Sequence, residues 1–251
     1  MSAKHFYPLS FSSLKAFAQS PAHFVAYKNR QHVETPAMRF GTAVHAAVLE
    51  PEKFAEEYRE LKVRRGTAAH KALVEEHPNA KWLAAGEWHD LQAITKAVQR
   101  HPKAIELLAT TTDFEQELHG TLYGHQLRGF ADMVGPNWVC DLKTCQMGAP
   151  RDFTSTAYRT KYHMQAFIYM NLMQQSLGRA CNEFWWVTVE KAAPYVVTVY
   201  RANDDLIEAG QKECERLLNE FGQWDGVPRG YDHHAQHDGF FDLGVPYWAA
   251  T

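Results

Sequence analysis

Three residues on two neighbouring segments have the types and spacing that phosphodiester chemistry requires. The segments read G-F-A-D and C-D-L-K-T, and they contribute Asp132, Asp141 and Lys143. Side chains alternate between the two faces of a strand, so Asp141 and Lys143 share a face. A Gly-Pro-Asn turn signal at 135–137 predicts a hairpin that brings Asp132 beside Asp141. Two carboxylates next to one ammonium suit a hard divalent cation and an activated water, which is the outline of a metal-dependent phosphodiesterase.

A predicted helix downstream carries polar residues among apolar ones. Gln165 and Tyr169 are four residues apart and therefore share a helix face. A buried glutamine needs hydrogen-bond partners. Gln165 is either a satisfied core residue, or its amide orients a water or a phosphate oxygen near the metal.

Two upstream segments offer further ligands. His45 ends the motif G-T-A-V-H, and a neutral imidazole there could complete a metal's coordination shell or contact the scissile phosphate. A purely structural histidine is the alternative. Glu115 and Glu117 are predicted to lie on one face of a strand, and Glu117 is selected as the additional carboxylate by its distance from Asp132. A solvated strand face is the competing interpretation.

The hydrophobic pattern predicts a helical front followed by a β-rich core. Helices are predicted from Ser10 and from Pro21, then over 38–49, and residues 52–110 read as mostly helical. The later elements are predicted as strands at 114–121, 126–134 and 138–144, a long buried helix at 158–177, strands at 184–190 and 195–200, and a helix at 204–221. This order predicts a mixed α/β sheet with helices on its faces. We expect one domain over 1–251, divided into a helical part (1–110), a catalytic α/β core (111–221) and a tail that wraps the surface (222–251).

Composition limits the possible partners and compartments. The net charge of −3 argues against a generally basic protein that coats DNA, but it leaves DNA as a substrate held in a local groove. The four cysteines form no C-x-x-C pair and no metal-finger spacing. The sequence shows no signal peptide and no long apolar run, which predicts a reducing cytoplasm and no membrane partner. A histidine-rich run at 232–238 lacks zinc-site spacing and is predicted to be a solvated loop.

The motifs G-T-A-V-H, E-x-E, G-F-A-D, D-L-K-T and Q-A-F-I-Y, in this order, resemble the PD-(D/E)XK nuclease superfamily. The similarity is to the branch with RecB-type nuclease domains and phage lambda exonuclease, and within it to RecE-like (exonuclease VIII) phage and prophage exonucleases. The opening L-S-F-S-S-L-K-A-F-A-Q-S-P-A-H-F and the V-P-Y-W motif at 245–248 are similar to the same group. The core reads Asp-Leu-Lys instead of Glu-x-Lys, a variation that this branch tolerates.

The resemblance implies a restriction-endonuclease-like core and a role for each matching residue. The implied metal-contacting set is Asp132, Asp141, His45 and Leu142. The implied catalytic set is Lys143, Asp132, Asp141, Gln165, Tyr169 and Glu117, with Glu115 as the alternative upstream acid. Lys143 would position or help deprotonate the attacking water. The implied cofactor is Mg²⁺, one or two ions, with Mn²⁺ able to substitute. The cysteines do not match the iron–sulphur pattern of the CRISPR-associated relatives, so no cluster is expected.

The resemblance also implies an activity. We expect a Mg²⁺-dependent exodeoxyribonuclease that degrades linear double-stranded DNA from its ends, 5′ to 3′, with 5′-phosphorylated products, in phage-type recombination in the cytoplasm of a bacterial host. A ring-shaped homo-oligomer and a single-strand annealing protein of the RecT type are the implied partners. Two alternatives stay open: a structure-specific or single-strand endonuclease, and a DNA-end-binding protein that does not cut.

Overall fold

The computed structural model describes residues 6–30, 34–231 and Val245. Its helices are α1 (Phe11–Gln19), α2 (Pro21–Asn29), α3 (Pro36–Leu49), α4 (Pro51–Glu57), α5 (Ala68–Glu76), α6 (Ala85–Val98), α7 (Pro102–Thr110), α8 (Pro150–Arg159), α9 (Tyr162–Leu177) and α10 (Asp204–Gln223). Its strands are β1 (Tyr58–Leu61), β2 (Lys81–Ala84), β3 (Asp113–Leu122), β4 (His125–Val134), β5 (Trp138–Cys145), β6 (Glu183–Glu190) and β7 (Val197–Arg201). The histidine-rich run at 232–238 and positions 246–248 of the V-P-Y-W motif lie outside the described residues.

The central element is a five-stranded mixed sheet in the order β3-β4-β5-β6-β7. Strands β5 and β6 are parallel, and the other neighbouring pairs are antiparallel. Pairing between β4 and β5 is confined to Met133–Cys140 and Val134–Val139. The two strands therefore part from Asp132 and Asp141 onward, and both carboxylates stand at this opening. The predicted mixed α/β sheet flanked by helices is confirmed.

Helices cover both faces of the sheet, and each face has its own core. Helices α1, α2, α9 and α10 pack in the first core with residues such as Val139, Phe184 and Trp186. Helices α3, α6 and α7 pack in the second core with Cys140 and Leu142. Because successive residues of β5 point to opposite faces, its side chains serve the two cores alternately. Leu91, Ile94 and Val98 recur at helical spacing along α6 and are buried in the second core, so this helix packs on the main body.

Local capping explains where the helices of the front begin. Ser10 accepts a hydrogen bond from the Ser13 amide, and the Ser13 hydroxyl accepts one from the Ser10 amide, which forms a capping box at the start of α1. Thr35 caps α3, and Pro36 occupies its first turn, where a missing N–H costs nothing. Helix α3 packs in the second core and carries the half-buried His45 next to Asp132.

The long buried helix predicted over 158–177 is present as α9, which ends as predicted at Leu177 but begins later, at Tyr162. A separate helix, α8, precedes it, and the two are separated at Lys161, whose φ of 63° lies in the left-handed region. Lysine is not a residue that signals this conformation, and the Lys161 ammonium is held by an ion pair with Glu213 on α10. No local sequence signal predicts the break at this position.

A second element was also not predicted. Strands β1 and β2 form a small parallel sheet within the region expected to be mostly helical. Each strand has only four residues, which is too short for the period-two pattern to stand out.

Within residues 6–30 and 34–231, we find no helix with both the length and the apolar character needed to cross a bilayer.

Candidate active site

Asp132 lies where β4 and β5 separate. Its carboxylate accepts a hydrogen bond from the backbone of β5, as a paired strand would. Its Oδ2 accepts a hydrogen bond of 2.7 Å from the Leu142 amide. This amide would otherwise be a buried donor at the end of the β4–β5 ladder. The hydrogen bond fixes Asp132 beside the segment that carries Asp141 and Lys143, as the predicted hairpin requires.

Asp141 and Lys143 lie on the face of β5 that is covered by α9. The Lys143 Nζ is 2.5 Å from the Asp141 Oδ2, and the Gln165 amide donates a 2.7 Å hydrogen bond to the Asp141 Oδ1. Both oxygens of the buried carboxylate are thus held by side chains. The structure brings together the lysine, the aspartate and the glutamine predicted from the strand and helix patterns. Their catalytic roles stay predictions.

A group with the character of a metal site adjoins this pair. His45, Glu115 and Asp132 each offer one ligand atom, and these atoms lie within 4.8 Å of one another. The His45 Nδ1 is 3.5 Å from the Asp132 Oδ2 and 3.9 Å from the Glu115 Oε1. Carboxylate oxygens suit Mg²⁺ and Mn²⁺, and an imidazole is a common transition-metal ligand. The residues present therefore fit a divalent metal.

The upstream acid of this group is Glu115, which corrects the choice of Glu117. Glu115 has a φ of 47°, in the left-handed region, so it does not keep the simple alternation of β3. Its strand neighbours pair with the residues on either side of Asp132, which places Glu115 opposite Asp132. Glu117 instead pairs with the exposed Phe130, and its carboxylate lies 3.8 Å from Arg128.

The two glutamates provide a matched test of this correction. We expect Glu115→Gln to weaken Mn²⁺ binding about tenfold or more, because it removes one charge from the ligand group. Glu117→Gln makes the same chemical change on the same strand and should leave Mn²⁺ affinity within about twofold. Isothermal titration of both variants checks this. A larger loss for Glu117→Gln would restore the original assignment.

Leu142 can contribute to a metal site only through its backbone. Its side chain is fully buried in the second core, and its amide is engaged by Asp132. The N–H and C=O of one strand residue point to the same side, so the Leu142 carbonyl also faces the opening between β4 and β5. An oxygen ligand from this position is compatible with the predicted set.

The electrostatics of the group determine which of its residues carry protons at neutral pH. Burial raises the pKa of Asp132, the negative Asp141 raises it further, and the result is about 7. Burial lowers the pKa of His45, but the surrounding carboxylates, with Asp132 first, outweigh it and raise that pKa to about 9. For Lys143, burial is likewise outweighed by Asp141, and its pKa lies above the usual value. At neutral pH the group therefore holds protons that a metal would displace.

Metal affinity should consequently increase with pH. Asp132 is mostly protonated at pH 6 and mostly ionised at pH 8, because its pKa is about 7. A metal that must displace this proton gains about tenfold in apparent affinity over this interval, and displacement of the His45 proton adds to the gain. Titration with Mn²⁺ in buffers of different ionisation enthalpy would count the released protons. Constant affinity without proton release would exclude Asp132 as a ligand.

Tyr169 follows Gln165 by one helical turn and packs against β4. Its ring occupies the space where a side chain on Gly129 would be, since an added Cβ would lie 2.6 Å from the Tyr169 Cε1. This contact explains the glycine of the G-F-A-D motif. Burial, with a further effect of Asp141, raises the pKa of Tyr169, so the phenol stays protonated. Tyr169 is thus close to the site as a neutral group.

Two residues near Lys143 were missed by sequence reasoning. The Lys143 ammonium lies 4.9 Å from the ring centroid of Tyr162, a cation–π contact. Tyr162 precedes Gln165 by three residues on the same helix face, so the spacing contained this signal. Lys15 on α1 has a pKa lowered by burial and by the nearby Lys143. No local pattern connects these two lysines, because α1 and β5 meet only in the fold.

Comparisons with known proteins place this chain in a family. Residues 10–225 match the family described as a PDDEXK-like domain of unknown function (DUF3799), and the chain belongs to this family. No functionally curated protein matches the sequence. The structure is similar to a proposed exonuclease from Eubacterium rectale, with a TM-score of 0.62 at 14% identity, covering 88% of this chain and 85% of that chain.

A second solved structure is much more distantly similar. An alkaline exonuclease from Laribacter hongkongensis gives a TM-score of 0.30 at 16% identity, covering 74% of this chain and 91% of that chain. This likeness is too low to add to the argument. The family and the fold confirm the expected PD-(D/E)XK relationship and support a nuclease. Nucleases of this kind generally use divalent metals, and the group of His45, Glu115 and Asp132 offers a place for one.

Proposed function

We propose that this protein is a Mg²⁺-dependent exodeoxyribonuclease that degrades linear double-stranded DNA, with Mn²⁺ able to replace Mg²⁺. The observation that carries the proposal is the opening between β4 and β5. Asp132, Asp141 and Lys143 meet there, next to His45 and Glu115. We further propose that degradation runs 5′ to 3′ and that it serves phage-type recombination in the cytoplasm of a bacterial host.

The residues of the site divide the chemistry between them. Asp132 and Asp141, with His45 and Glu115 at the edge, would hold the divalent ion. The ion, when bound, lowers the pKa of a coordinated water and offsets negative charge on the phosphate. Lys143 is protonated at neutral pH, so it acts as a fixed positive charge beside the attacking water. Gln165 holds the Asp141 carboxylate in place.

The proposed hydrolysis exchanges one bond to phosphorus for another. The water oxygen forms a bond to phosphorus, the bond from phosphorus to the 3′ oxygen breaks, and one proton of the water ends on that 3′ oxygen. The product strand then carries a 5′-phosphate. Lys143 lies 2.5 Å from Asp141, so its positive charge is available next to the proposed metal-holding carboxylates during this step.

The exposed surface of β4 supports DNA as the substrate. Arg128 and Phe130 follow each other at two-residue spacing on the solvent side of the strand and lead toward Asp132. Burial lowers the pKa of Lys28, as does the neighbouring Arg128, so two cations stand close together. Cations that meet phosphates, next to an aromatic ring that stacks on bases, are a common arrangement for nucleic-acid strands.

Assembly is a further part of the proposal. We expect a homo-oligomeric ring, as the resemblance to RecE-like exonucleases implies, and a ring would let a chain of net charge −3 concentrate its positive charge around DNA. A single-strand annealing protein of the RecT type is the proposed partner, and it would bind the strand that escapes degradation. Sedimentation equilibrium tests the ring, since a monomer at micromolar concentration would contradict it.

The experiment that tests the proposal compares matched DNA substrates. Purified protein is incubated with Mg²⁺ and the same duplex in linear and covalently closed circular form. We expect loss of the linear form only. Cutting of the circle would indicate an endonuclease. Retention of both forms in Mg²⁺ and in Mn²⁺, together with binding to DNA ends, would indicate a binding protein that does not cut.

A further inference from the structure

A cavity of about 500 Å³ opens beside the catalytic lysine, between the end of β5 and helix α8. Lys143 lines it and at the same time contacts Asp141, so the cavity communicates directly with the proposed metal centre. His45 and Glu115 line a different depression. Of the residues that line this cavity, only Lys143 has a role in the proposed hydrolysis.

The charges around the cavity are strongly unbalanced. Arg159 and Lys191 line it together with Lys143, and Asp152 is the only acid in its lining. Among the residues that the structure describes, Arg159 and Lys191 form neither an ion pair nor a side-chain hydrogen bond. Asp152 lies in the first turn of α8, where the helix dipole already offsets its charge. Two cations thus face the cavity without partners.

The size and the remaining lining fit a single nucleotide. Small-ligand sites commonly measure about 300–1,000 Å³. The exposed Met147 and the ring of Tyr162 give the cavity apolar surface suited to a base or a sugar. A long duplex cannot enter a space of this volume, whereas one nucleotide at a strand end can.

We propose that this cavity binds the terminal nucleotide of the strand that is being hydrolysed, with its phosphate on Arg159 and Lys191. This inference rests on the proposed function, because it names where the strand end lies. The ligand class is a deoxynucleoside monophosphate, either at the end of a strand or released as product. Arg159 and Lys191 are positioning residues, while Lys143 contacts the reacting atoms.

The test is designed around one helix. Arg159→Ala removes a cation that lines the cavity, and Arg151→Ala removes an exposed cation from the same helix outside the cavity. Binding of deoxyadenosine monophosphate and of deoxyadenosine is measured by calorimetry in EDTA, so that no metal contributes. We expect the wild type to prefer the monophosphate, Arg159→Ala and Lys191→Ala each to lose about tenfold in affinity for it, and Arg151→Ala to match the wild type.

Two additional readouts separate positioning from folding. Arg159→Lys keeps the charge and should restore most of the lost affinity, while thermal melting confirms that each variant is folded. In Mg²⁺, Arg159→Ala should raise KM for linear DNA about tenfold with little change in kcat. Equal affinity for the nucleoside and the monophosphate, or wild-type binding by Arg159→Ala and Lys191→Ala, would overturn the inference.

The outcomes also distinguish this inference from the proposed function. Suppose that the wild type hydrolyses DNA but that Arg159→Ala and Lys191→Ala bind the monophosphate as the wild type does. This result would refute the proposed nucleotide site in the cavity and would support the proposed nuclease activity. If monophosphate binding depends on Arg159 but the protein hydrolyses no DNA, the nucleotide site is supported and the proposed exonuclease activity is refuted.

Discussion

Lys143→Ala should reduce DNA hydrolysis by about 10²–10³-fold, which is the usual effect of removing one charge-stabilising group from an active site. The ammonium is the only described lysine within ion-pair distance of Asp141, at 2.5 Å. Its raised pKa keeps it positive throughout the neutral range. Single-turnover cleavage of a labelled linear duplex measures the chemical step without product release. Hydrolysis at the wild-type rate would remove Lys143 from the site.

The control for this variant must account for stability. Lys143 is largely buried, with 22% of its side chain exposed, so its removal leaves the buried Asp141 without a counter-charge. We expect a lower melting temperature in EDTA, and a divalent metal should recover part of the loss. Lys143→Met keeps most of the volume, and Lys212→Ala removes an exposed lysine from α10. Lys212→Ala should retain full activity, and both lysine-143 variants should lose it.

Asp132→Asn should weaken Mn²⁺ binding by at least about tenfold and, without metal, make the protein more stable than the wild type at pH 8. An asparagine oxygen can still accept the Leu142 amide, so the local fold is retained. Burial and Asp141 raise the pKa of Asp132 to about 7, far above the value of an unfolded aspartate. A raised carboxyl pKa means that the folded state loses stability as pH rises from about 4 through about 7.

Two melting curves of each protein test this pair of effects. In EDTA at pH 8, Asp132→Asn should melt above the wild type, because the neutral amide removes repulsion with Asp141. At pH 5, where the wild-type carboxyl is mostly protonated, the two should melt within a few degrees of each other. Added Mn²⁺ should raise the wild-type melting temperature much more than that of the variant. An equal metal-induced shift in both proteins would show that Asp132 is not a ligand.

Part of the site was predictable because regular local geometry places it. Strand alternation puts Asp141 and Lys143 on one face, and helix spacing puts Gln165 and Tyr169 on another that meets it. The mixed sheet was predicted from the segments with two-residue periodicity and from the helices between them. These predictions required only the side-chain periodicity of strands and helices and the turn signal at 135–137.

The parts that could not be predicted depend on irregular backbone or on distant contacts. Glu115 lies opposite Asp132 with a left-handed backbone, and no glycine or asparagine marks that position in the sequence. The break before α9 falls at Lys161, whose side chain forms an ion pair with Glu213 of α10. Lys15 approaches Lys143 because α1 packs on the sheet-covering helices. A sequence read locally contains none of these pairings.

The central claim is that this chain hydrolyses DNA with a divalent metal held at Asp132 and Asp141. The measurement that tests it most directly is the release of acid-soluble nucleotides from uniformly labelled linear duplex DNA. Wild type and Asp141→Asn are compared in Mg²⁺ and in EDTA. We predict steady release by the wild type in Mg²⁺ and almost none in the other three conditions. Equal release by Asp141→Asn, or release that persists in EDTA, would contradict the account.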